Sequence, residues 1–86
     1  MRDVRWNPLK AQRLKRLRGV SFEEILQAQL LAIKQHPSRT QQHLLLFLYK
    51  GYIWVVPCIM SKDDIVLKTL FPSRKYTKLY KRGELR

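Results

Sequence analysis

Acidic residues are scarce in this chain. Six Asp and Glu stand against 18 Lys and Arg, so the 86 residues carry a formal charge of +12. Cysteine is scarcer still. The single Cys58 excludes an intrachain disulfide; set in an apolar run, it reads as a small buried hydrophobe rather than a reactive thiol. The three glycines are isolated, so no Gly-rich loop is present to cradle a nucleotide phosphate. His36 and His43 lie in or beside a loop, and with one cysteine no zinc-ligand spacing is readable. Asp63-Asp64 and Glu23-Glu24 read as a hairpin end and a helix start rather than as metal ligands. Neither a metal nor a cofactor is expected.

Long apolar runs are also missing. The most apolar stretch, residues 44–60, is interrupted by Lys50, Gly51 and Pro57, whereas a membrane span needs roughly 20 apolar residues. The first residues are polar and charged, with no apolar stretch behind them, so neither a secretory signal nor a membrane association is expected. The expected location is cytoplasmic.

What is present suits a single small domain over residues 1–86. Apolar residues make up 45% of the chain, which is normal for a globular fold. The placement of charge is more informative than its total. Seven of the 18 cations fall in the first 18 residues, where Asp3 is the only acid, and six fall in the last 14, where Glu84 is the only acid. A generally soluble basic surface is the plain explanation. Two basic ends around a nearly neutral apolar centre fit an electrostatic footprint for a phosphate polyanion better, and RNA is the expected partner.

Local patterns give an order of elements. Arg2 to Trp6 alternates and predicts a short edge strand. Asn7-Pro8 opens a helix, with Asn as N-cap and Pro at the first helical position, and Gly19 stops it. Leu14 and Leu17 share a face of that helix, and Lys10, Arg13, Lys15, Arg16 and Arg18 crowd the rest. Ser21-Phe22-Glu23-Glu24 is a capping box, with Val20 and Ile25 at staple spacing, and predicts a second helix from Phe22 to about Lys34 lying against the core. Leu44 to Tyr49 predicts a central strand. Lys50-Gly51 is a two-residue turn, and Tyr52 to Met60 is the returning strand, with Pro57 marking a bulge or an unpaired edge position. Ile65 to Phe71 predicts a third long strand, and a last helix runs from about Ser73 to Lys81. The expected order is β-α-α-β-β-β-α, an α+β fold with an antiparallel sheet.

The chemistry that remains is cationic. Lys68, Arg74, Lys75 and Lys78, with Tyr76 and Tyr80, gather where the last strand hands over to the last helix. Backbone N–H groups at a helix start favour an anion, and an Arg fork matches phosphate oxygens. Tyrosines beside such cations stack on bases at roughly 1–3 kcal/mol each. The competing explanation is a solvated basic helix that packs through Tyr76 and Leu79. RNA cleavage needs neither His nor a metal in principle, because the 2′-OH is the nucleophile. Arg74 can stabilise the extra charge on the phosphorane, and a lysine crowded by other cations, Lys75 or Lys68, can take the proton.

Two segments resemble a known family. Trp6-Asn7-Pro8 with Lys10, then Arg18-Gly19-Val20-Ser21-Phe22-Glu23-Glu24, is similar to the opening of the BrnT toxins. Lys68-Thr69-Leu70-Phe71-Pro72-Ser73-Arg74-Lys75-Tyr76-Thr77 resembles that family's Ile-x-Ser/Ala-Arg-Lys-Ala-Thr segment. The two stand in the same order and together span most of the chain. The resemblance implies a compact RelE-like ribonuclease fold and the toxin of a bacterial type II toxin–antitoxin system, an endoribonuclease that arrests translation and is neutralised by a cognate antitoxin. It places Arg74 and Lys75 beside the active face, and Lys68 or Tyr80 is the further residue expected to help catalysis there. Trp6, Lys10, Arg13, Lys15, Arg16, Arg18, Tyr76 and Lys78 are then expected along the RNA, and the ribosome is a further candidate partner. Two alternatives stand beside it: a non-catalytic basic nucleic-acid-binding module, and a toxin of the same fold that acts on a topoisomerase.

Overall fold

The computed structural model describes residues 3–85. Its centre is a hairpin. Strands β3 (Gln42–Tyr49) and β4 (Tyr52–Met60) pair antiparallel without interruption from Gln42↔Ile59 to Tyr49↔Tyr52. Lys50 and Gly51 join them at φ 52 and 77, the left-handed pair that a tight turn between twisted strands requires.

Seven further elements surround this hairpin. In chain order, β1 (Asp3–Arg5), α1 (Pro8–Arg18), α2 (Phe22–Leu26) and β2 (Gln29–Gln35) precede it; β5 (Asp64–Leu67), β6 (Phe71–Pro72) and α3 (Arg74–Lys81) follow. The sheet order is β1-β5-β4-β3-β2, with β6 also pairing β4. All pairs are antiparallel except β1 with β5. The expected first strand is β1, and Arg2 lies outside the described residues. The α+β class stands, with two strands beyond the expected order.

The first difference is at the second helix, which ends at Leu26 rather than near Lys34. The following residues form β2 instead, paired with β3. A register shift between Leu30 and Ala32 marks a bulge. One extra residue puts Leu30 and Ile33, opposite Phe47 and Leu45, on the same side of the sheet. Their spacing of three imitates a helix.

The second difference is at the expected long strand from Ile65 to Phe71, which is broken into β5 and β6. Pro57 explains the break. It has no N–H for a ladder, and in this central strand it sits where β4's partner changes. β6 pairs at Trp54 and Val55, β5 pairs from Cys58 onward, and the Pro57 carbonyl accepts the Lys68 N–H at 2.9 Å. Pro57 thus lacks only the donor half of a pair on the β5 side; it is neither a bulge against β3 nor at an edge of the sheet.

Both faces of the hairpin are buried, as its two-sided apolar sequence requires. Leu45, Phe47, Val56 and Cys58 pack with Leu14 of α1 and Phe22 and Ile25 of α2. Leu44, Leu46, Ile53 and Val55 face the other way, toward Phe71, Tyr76 and Leu85. Helices α1 and α2 therefore cover one face and α3 the other. Each fully buried side chain such as Phe22, Ile25 or Leu46 contributes about 1.5–3 kcal/mol. Leu17 does not join the core face: it is 73% exposed, as is Leu9, and only Leu14 of the three is buried. Cys58 is buried as expected, and burial pushes its thiol pKa up.

Candidate nucleic-acid interface

Helix α3 is tied to the sheet by two hydroxyl residues. Ser73 caps it, its Oγ accepting the Tyr76 N–H at 3.1 Å. The Ser73 N–H donates to the Ile53 carbonyl at 2.8 Å, and the Ile53 N–H donates to Thr77 Oγ1 at 2.9 Å. Thr77 Oγ1 in turn donates to the Ser73 carbonyl at 2.6 Å. The first turn of α3 thus replaces a strand for the two backbone groups of Ile53. Arg74 and Lys75 occupy the turn between these two anchors, and their placement is fixed by the sheet rather than by a loop.

The anchors decide which side chains face out. Tyr76 and Thr77 turn toward the sheet. Arg74, Lys75 and Lys78 are exposed and, at 100° per residue, share the outer arc of α3. The Lys75 Nζ lies 5.4 Å from the centre of the Tyr76 ring. Lys68 is exposed; continuing β5 by one residue places it opposite Pro57, on the α3 side of the sheet. The structure therefore brings Lys68, Arg74, Lys75 and Lys78 to one side of the molecule. Tyr80, 38% exposed, sits about 9 Å along the helix from Arg74 and about a third of a turn around it, so it is not beside that guanidinium.

Lys34 is a residue the sequence reading missed. Its pairing with Leu44, and Leu44 with Pro57, puts it in the same cross-strand row and on the same face as Lys68. A helix expected to run on to about Lys34 hid it, because a strand's alternation is what assigns that face.

The other expected contacts lie across the sheet. Asn7 caps α1, its Oδ1 accepting the Leu9 and Lys10 N–H groups, and Gly19 ends the helix at φ 77. Arg13, Arg16 and Arg18 are exposed and Lys10 is half-buried. Lys15 is not a free cation: its Nζ meets Glu24 Oε1 at 2.6 Å and the Gly19 carbonyl at 3.2 Å. Glu24 closes the expected capping box with Ser21. The Lys15 hydrogen bond, with further help from Ser21, holds the Glu24 carboxyl down from 4.5 to about 2. Trp6 packs on Phe22, ring centres 5.5 Å apart at 40°. It also lines an open groove of about 660 Å³ with Pro8, Ala11, Gln12, Lys15, Arg16, Ser21 and Glu23. Because α1 and α3 lie on opposite faces, the two basic regions are separate surfaces.

No protein-family model and no curated protein matches the sequence. Among solved structures, the chain is similar to the 1.1 Å crystal structure of the Brucella abortus ribonuclease toxin BrnT. Identity is 15% and the TM-score 0.57, with 85% of this chain and 97% of that chain covered. The shared feature is the fold, the one implied by the two sequence segments. Among the described residues, no helix is long and apolar enough to cross a membrane.

Proposed function

We propose that this chain is an endoribonuclease toxin that cuts RNA through attack of a 2′-OH on the adjacent phosphorus, without a metal. The observation that carries the reading is the exposed Arg74–Lys75 pair on a helix turn whose backbone is anchored to β4 through Ser73 and Thr77, in a fold shared with a ribonuclease toxin. Cations carried on an anchored backbone need less reorganisation to meet developing charge than cations on a free loop.

In the proposed step the 2′-oxygen forms a bond to phosphorus as Lys75 or Lys68 takes its proton. Arg74 balances the added charge on the phosphorane oxygens. The 5′-oxygen then leaves and takes up a proton, giving a 2′,3′-cyclic phosphate and a 5′-hydroxyl. Lys78 and Lys34 hold the neighbouring backbone. Tyr80, set apart from Arg74, serves the site by packing α3 or stacking on a base further along. The chain works in a bacterial cytoplasm, with ribosome-bound message as one substrate. An acidic antitoxin of a type II system covers its cations, since charge complementarity speeds capture.

The test is expression with and without Arg74→Ala, paired with incubation of purified protein and end-labelled RNA in a chelator. Growth arrest and cut fragments from the wild type alone are expected; equal arrest by both removes Arg74 from the mechanism. A second reading, a non-catalytic nucleic-acid binder, is favoured by the openness of the site: Lys68, Arg74 and Lys75 are all exposed, and the groove described above belongs to α1. Lasting, salt-sensitive binding with intact RNA is its signature.

A further inference from the structure

The groove beside α1 contains groups that a phosphate grip leaves unused. Its lining includes Trp6 and, along with the cationic Arg16, the acidic Glu23. Among the described residues the acids are few, and Asp64 and Glu24 are spent on Arg5 and Lys15. Glu23 is exposed and joins neither ion pair. A free carboxylate repels phosphate, so at this place in a polyanion-binding protein it opposes the grip around it. It accepts N–H donors, however, and the part of a nucleotide that offers donors beside a flat apolar face is the base.

We infer that the groove between α1 and α2 is a single-base pocket for RNA that prefers guanine. The base stacks on Trp6, its Watson–Crick edge meets Glu23, and Arg16 takes the attached phosphate. Unpaired bases are read in this way, by aromatic stacking and hydrogen bonds on their edges. A carboxylate accepts two parallel donors at once. Guanine supplies such a pair from N1–H and the 2-amino group. Adenine and cytosine offer one amino group each, and uracil one imide N–H. Gln12 and Ser21, also on the wall, are within the same recess to hydrogen-bond the remaining base or ribose groups. A volume of about 660 Å³ is in the range of small-ligand sites. The pocket lies across the sheet from Arg74, so it selects RNA away from the point of cutting. The inference rests on RNA being the partner, but not on cleavage.

The experiment titrates the full chain with GMP, AMP, CMP, UMP and inorganic phosphate, following the Trp6 indole N–H by NMR and assigning it by its loss in Trp6→Phe. Saturable GMP binding at Trp6, roughly 10-fold tighter than the other three nucleotides, is expected, since a two-bond base contact discriminates by about that much or more. Glu23→Gln is expected to bring the four within about 3-fold of one another. Arg16→Ala is expected to weaken all four alike. Equal affinity for every nucleotide and for phosphate, a GMP preference untouched by Glu23→Gln, or an unmoved Trp6 signal overturns the pocket. Cleavage of labelled RNA by the same samples separates the two claims. Cutting without GMP binding leaves the ribonuclease standing and removes the pocket, whereas GMP binding without cutting does the reverse.

Discussion

The Ile53 N–H of β4 donates to Thr77 Oγ1 at 2.9 Å, so a central strand hydrogen-bonds the helix that carries Arg74 and Lys75. Ile53 is 0% and Thr77 4% exposed, so the Ile53 N–H is buried with that hydroxyl as its partner. Thr77→Val keeps the shape and strands the Ile53 N–H. The expected cost is about 1–3 kcal/mol, read as a lower urea midpoint with unchanged slope. RNA cleavage is expected to fall further than stability alone explains. Thr77→Ser, which keeps the hydroxyl, is expected to preserve cleavage. Equal loss in Ser and Val variants removes the hydroxyl from the explanation.

A second expectation concerns acid. The Lys15 contact, with Ser21, lowers the Glu24 pKa from 4.5 to about 2. A carboxyl depressed in the folded state stabilises fully above its unfolded value. That contribution is lost as pH falls from about 4.5 through about 2. Lys15→Met is expected to return the Glu24 titration toward 4.5 and to move acid unfolding to higher pH. Side-chain carboxyl NMR checks both, and a wild-type Glu24 that titrates near 4.5 contradicts the pairing. Ser21→Ala, which removes the cap itself, is expected to cost about 1 kcal/mol.

The β3–β4 turn offers a stabilising change. Lys50 holds φ 52, a conformation that costs an ordinary L-residue roughly 1–2 kcal/mol and that Asn tolerates better. Lys50→Asn is expected to raise stability by about 0.5–1 kcal/mol. Gly51→Ala at φ 77 is expected to lower it by about 1 kcal/mol. Urea midpoints that move the opposite way argue against this turn.

Punctuation was the legible part of the sequence. Asn7-Pro8, Gly19, Ser21 with Glu24, Lys50-Gly51 and Ser73 act locally, and each appears where its chemistry places it. Residues 29–35 were not legible because their conformation is set by β3, a partner distant in sequence, and because the bulge near Leu31 destroys the alternation that signals a strand. The break at residues 68–70 depends on Pro57 across the sheet, so it too is tertiary. The Arg74–Lys75 position followed from the strand-to-helix handover. That Thr77 anchors it, that Lys34 shares its face, and that the cations of α1 lie on the other side all required the sheet register. The Lys15–Glu24 pair joins two different helices, so the pattern of α1 alone does not show that this cation is partnered.

The most direct measurement of the central claim is end-group analysis of RNA treated with purified protein in a chelator, comparing wild type with Arg74→Ala. The wild type is expected to leave 2′,3′-cyclic phosphate and 5′-hydroxyl ends. Arg74→Ala is expected to make them at least about 100-fold more slowly, the order seen when one fixed stabiliser of developing charge is removed. RNA that binds but stays intact, or an Arg74→Ala variant that cuts at the wild-type rate, contradicts the assignment of the α3 corner as the cutting site.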